Sequence, residues 1–67
     1  MEVDMYSTEY RKDKLGNLMY KESKVILPNG KIGIVRGFSV TYVDITPLGS
    51  NEWMLYRPEE LEVYEGE

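Results

Sequence analysis

The residue types that most often do chemistry are scarce in this chain. Its 67 residues include no histidine and no cysteine. That removes the commonest general base, the thiolate nucleophile, the disulfide and the thiolate zinc site. The nearest thing to a catalytic pair is Glu59-Glu60. Paired carboxylates do acid–base work when they converge on one site, and neighbours at a turn normally point apart. No nucleophile stands beside an obvious base. The expectation is therefore a protein that is not an enzyme, with no catalytic residue and no cofactor. A hard-metal site built from Asp44 or the terminal glutamates is equally unsupported, since the sequence has no ligand-spaced loop.

Glycine raises a second question. Gly30, Gly33 and Gly37 crowd the stretch VILPNGKIGIVRGF, Val25 to Phe38. A phosphate cradle needs glycines that open a helix N-terminus. Here β-branched residues follow, so bends and close backbone contacts in a coiled strand are expected instead.

Binding chemistry is better represented by aromatic and apolar side chains. Aromatic rings offer contact area at low entropy cost and an electron-rich face for cations and peptides. Ile34, Tyr42, Trp53 and Tyr56 are the candidates for a protein-binding surface, with Phe38 near them in sequence. Trp53 and Tyr56 are three apart, so on one regular strand they point to opposite faces and cannot both belong to one surface. The basic residues Arg11, Lys12, Lys14, Lys21, Lys24 and Arg36 are interrupted by Glu9, Asp13 and Glu22. That pattern reads as a solvated, salt-bridged face. Lys12, Lys14 and Arg36 are the residues a nucleic-acid role would use.

Charge argues against that role. The net charge is -4, and from Glu52 to Glu67 six glutamates face Arg57 alone. General affinity for nucleic acid depends on neutralising phosphates, so nucleic acid is a disfavoured partner. No apolar run approaches the roughly 18–20 residues of a membrane helix. The acidic start, Met1-Glu2-Val3-Asp4, lacks the basic and apolar blocks of a signal peptide. The expected setting is the cytoplasm, with no membrane partner.

These residues need elements to position them. The texture changes near Ser23, from polar residues with scattered Tyr and Met to β-branched residues with frequent turn signals. The reading is an N-terminal appendage over residues 1–22, a β domain over 23–64 and a frayed tail over 65–67. Five strands are expected: Lys24 to Leu27, Lys31 to Phe38, Val40 to Thr46, Glu52 to Arg57, and Leu61 to Tyr64. Pro28-Asn29-Gly30 makes the first turn. Pro58-Glu59-Glu60 makes one tight helical turn. Alternation puts Val25, Leu27, Val35, Val43, Ile45, Leu61 and Val63 in the core. It leaves Ile26, Ile32 or Ile34, Val40 and Tyr42 outward, more than a monomer this small should expose together.

The appendage is the expected cover, through Tyr6, Tyr10 and Leu18 or Met19. It is read either as a short helix over Thr8 to Leu15, capped by Ser7 and ended by Gly16-Asn17, or as an extra edge strand over Glu2 to Tyr6. If it does not cover the outward residues, they form an interface.

The run Gly30-Lys31-Ile32-Gly33-Ile34-Val35 resembles the Gly-x-x-Gly-x-Val pattern in the first hairpin of small SH3-like barrels, the KOW type above all. Tyr56-Arg57-Pro58-Glu59-Glu60-Leu61-Glu62-Val63 resembles their close, where a tight turn precedes a last strand carrying Leu-x-Val. The resemblance spans Ser23 to Tyr64. It implies a mainly β, five-stranded SH3-like barrel. KOW, Tudor and chromo-like barrels share that frame while binding RNA, methylated peptides or neighbouring proteins, so fold analogy alone fixes no activity. The expected role is a non-catalytic protein-interaction module, as in an accessory or inhibitor protein of a phage or bacterium, with an unidentified protein partner. The alternatives are a KOW-like nucleic-acid-binding module and a homodimeric structural protein.

Overall fold

Strand formation begins earlier than the change of texture at Ser23 suggests. The computed structural model of the chain describes residues 9–66. It opens with a hairpin of β1 (Tyr10–Lys12) and β2 (Leu18–Tyr20). The helix expected over Thr8 to Leu15 is therefore corrected to a strand where it is described. The Ser7 cap and the Glu2 to Tyr6 strand lie outside the described residues. Gly16, at φ +88°, does end the segment, but as a hairpin turn. The turn is built on Asp13, whose N–H donates to the Asn17 carbonyl at 2.8 Å while its carboxylate takes the Leu15 and Asn17 N–H groups.

The second sheet holds five strands: β3 (Lys24–Ile26), β4 (Ile32–Phe38), β5 (Val43–Pro47), β6 (Met54–Tyr56) and β7 (Glu62–Val63). Their spatial order is β6-β5-β4-β3-β7, all antiparallel. The 3-10 turn Pro58–Glu60 precedes β7 as expected, with Pro58 opening it and the Glu60 carboxylate accepting from the Arg57 N–H. There is no closed barrel: among the described residues, β6 and β7 remain the two edges of an open sheet.

The glycines are geometric. Gly30 takes φ +87° in the β3–β4 turn, where the Asn29 side chain also accepts from the Lys31 N–H. Gly33 is a close approach: a Cβ there would lie 2.5 Å from Ile45 Cγ2 and 3.2 Å from Leu27 Cδ2. Gly37 sits at a register shift between β4 and β5, the mark of a bulge.

Val25, Leu27, Val35, Val43, Ile45 and Leu61 are buried as the alternation predicts, and Val63 is half-buried against them. Two corrections concern the core and its edges. Met19, expected as a cover for the outward isoleucines, is fully buried with Val25 and Val35 on the opposite side of the sheet. Val40, expected to start the third strand, is 97% exposed. The reason is a tight turn: Ser39 N–H donates to the Tyr42 carbonyl, and Tyr42 N–H donates to Ser39 Oγ, so pairing resumes only at Val43.

The hairpin is tied to the sheet by backbone bonds as well as by Met19. Glu22 N–H donates to the Val35 carbonyl at 2.7 Å and Val35 N–H donates to the Ser23 carbonyl at 2.9 Å. Lys14 N–H donates to the Leu61 carbonyl. Arg11 donates to the Ser39 carbonyl and lies 5.2 Å from the centre of the Phe38 ring.

Candidate interaction surface

One side of the five-stranded sheet packs against the hairpin. The other side is the candidate surface, and register defines it. Directly opposed residues in an antiparallel pair share a face. Ile26 opposes Ile32, Ile34 opposes Thr46 and Lys24, Ile26 opposes Glu62, and Asp44 opposes Leu55. All of these alternate away from the buried Val25, Val35, Val43 and Ile45. The result is an isoleucine stripe across β3 and β4, continued by Thr46 and by Leu55 on β6.

The stripe is half-buried by its own neighbours, whereas Leu55 is 60% exposed. Trp53 stands two residues before Leu55 and is 61% exposed. The Arg36 guanidinium lies 5.8 Å from the centre of its indole ring, which places Arg36 and Trp53 together beside the stripe. Lys24, Arg36, Asp44 and Glu62 frame the face with both signs of charge. Thr46 Oγ1 is shielded from solvent there, with no hydrogen-bond partner among the described residues.

Of the four candidate contact residues, Ile34 and Trp53 fall on this face. Tyr56 does not: it opposes Val43, packs on the core side, and donates to Met54 Sδ at 3.9 Å. Tyr42 sits at the β4–β5 turn, 37% exposed. The basic set is divided between hairpin and sheet. Lys12 is exposed on β1, Lys14 lies 3.8 Å from Glu62 as a solvent-exposed pair, and Arg36 is held against Trp53.

Leu55 and Asp13 were not singled out by sequence reasoning. Leu55 was accessible to it, since alternation from Trp53 puts both on one side. Asp13 was counted only as a charge among bases, yet it is buried at 6% exposure. Its carboxylate accepts from the N–H groups of Leu15, Asn17 and Val63 at 2.7–2.8 Å. Burial alone would raise its pKa. The hydrogen bonds from Val63, Asn17 and Leu15 outweigh that and hold the carboxyl below its ordinary 3.8. Its work is structural: it closes the hairpin turn and pins β7.

Among the described residues no pocket opens, and no group of three acidic, histidine or cysteine side chains is placed to hold a metal. Among the described residues no helix is long and apolar enough to cross a membrane. No protein-family model, curated protein or solved structure matches the chain.

Proposed function

We propose that this chain is a non-catalytic protein-interaction module that binds its partner on the outer face of the five-stranded sheet. The observation that carries the reading is the juxtaposition of Ile26, Ile32 and Ile34 with the exposed Trp53 and Leu55, on a side away from the buried Met19. An apolar centre with an aromatic anchor and a charged frame is the composition of an interface core and rim. The acidic end of the chain adds long-range attraction for a basic partner. The reading also keeps the frame among the small SH3-like barrels. It is supported by the glycine pattern of Gly30 to Val35 and by the return of β7, after a 3-10 turn, to pair with β3.

The test is cross-linked capture in the source cells with the tagged full chain, compared with Ile34→Lys and Trp53→Ala. The expected result is one specific protein recovered by the wild type and lost from both variants, whose thermal melts stay close to the parent. Equal recovery by wild type and folded variants would overturn the reading.

A further inference from the structure

The two edges of the five-stranded sheet are treated differently. At β7 the edge is closed: Val63 N–H donates to the Asp13 carboxylate, and the Leu61 carbonyl just before the strand accepts from Lys14 N–H. At β6 no strand pairs with the outer edge among the described residues. Proteins usually blunt such an edge with lysine, proline, a bulge or a covering segment. β6 is short, at three residues, but Trp53-Met54-Leu55-Tyr56 carries no lysine, no proline and no bulge, and Trp53 and Leu55 are its most exposed members.

We propose that β6 pairs with β6 of a second copy, antiparallel, about a two-fold axis at Leu55. The choice of occupant rests on the complementarity of this segment with itself. With Leu55 opposite its own copy, Met54 faces Tyr56 of the second copy and Trp53 faces its Arg57. The first pair sets a thioether against an aromatic ring, a favourable contact. The second sets a guanidinium against an indole whose ring already attracts Arg36. Arg57 makes no ion pair among the described residues. An axis at Tyr56 instead would put Pro58, which has no N–H, opposite Met54. An axis at Met54 would leave Arg57 opposite Asn51. The axis runs perpendicular to the sheet, so both outer faces lie on the same side of one continuous ten-stranded sheet. This pairing leaves the isoleucine stripe uncovered but shares Trp53 and Leu55 with the partner surface above, so Ile34→Lys, which touches the stripe alone, separates the two readings.

The chain has no cysteine, so single cysteines report on the axis directly. Opposed residues have Cα atoms about 4.5–5.5 Å apart, inside the range that a disulfide spans. Leu55→Cys is expected to form a disulfide dimer under mild oxidation faster than Met54→Cys or Tyr56→Cys. It should also outpace Val40→Cys, which samples random collision. The uncross-linked protein should show a concentration-dependent dimer by sedimentation. Leu55→Lys, which opposes two like charges, should weaken it at least about tenfold. Hydrogen exchange at the Leu55 amide should slow as protein concentration rises. Three results would overturn the pairing. One is cross-linking at 55 no faster than at 40. Another is a dimer abolished by Ile34→Lys and untouched by Leu55→Lys, which would mean face-to-face association. The third is a monomer whose Leu55 amide is protected at every concentration, which would mean that the chain's own first eight residues cover the edge.

Discussion

Asp13 is the residue on which most of the local structure converges. Its two oxygens satisfy three backbone N–H groups that have no other acceptor in the turn and at β7. In Asp13→Asn an amide –NH2 replaces one acceptor and meets donors. A buried donor left unsatisfied costs about 1–3 kcal/mol, and that is the expected loss at neutral pH by urea denaturation. The pH dependence follows from the lowered carboxyl. Above the ordinary 3.8 both folded and unfolded chains carry the carboxylate, and its full contribution is present. As pH falls below that value the unfolded chain takes up the proton first, and the contribution is lost through the lower, folded value. The wild type should therefore lose more stability than Asp13→Asn between pH 7 and the acid side of that range. Equal slopes would show that the charge on Asp13 contributes nothing. None of this was legible in the sequence, where Asp13 sits among Arg11, Lys12 and Lys14 and reads as one more solvated charge.

At the scale of elements, the junction between β2 and β3 is the unusual piece. Glu22 is the one non-glycine residue at positive φ among the described residues, at 76°. The bend lets Glu22 and Ser23 bond to Val35, so the hairpin turns onto the sheet without breaking its pairing. A side chain in that region is strained, and glycine is not. Glu22→Gly is expected to stabilise the fold by about 0.5–1 kcal/mol, and Glu22→Val to destabilise it by a similar amount. A lower urea midpoint for Glu22→Gly would show that the entropy of the unfolded chain outweighs the strain. The elements after this junction were largely readable: Asn29-Gly30, the Lys31 to Phe38 run and Pro58-Glu59-Glu60 each carry a turn or strand signal with a local mechanism. The hairpin before it was not, because Tyr10-Arg11-Lys12 has no apolar period of either kind.

At the scale of the whole molecule, Met19 joins the two sheets into one core. It is fully buried with Val25, Val35, Ile45 and Leu61, and it is the hairpin's sole member of that cluster among the described residues. Removing a buried methionine side chain costs about 2–5 kcal/mol, close to the whole stability that a domain this small can be expected to have. Met19→Ala should be largely unfolded at room temperature by circular dichroism, while Met19→Leu, which conserves volume, should fold. A stable Met19→Ala protein would mean that the hairpin docks through its backbone bonds alone. The sequence by itself determined that the larger sheet has five strands, which of their residues form its core and the geometric role of the glycines, because alternation and turn chemistry are local; it did not place Val40 in its turn or choose between Ile32 and Ile34 as outward residues. Only the tertiary structure decided which face the N-terminal segment covers, since hairpin register and the buried Asp13 depend on contacts between residues up to 50 positions apart. That decision put Met19 inside and left Ile34, Trp53 and the edge at Leu55 on the outside.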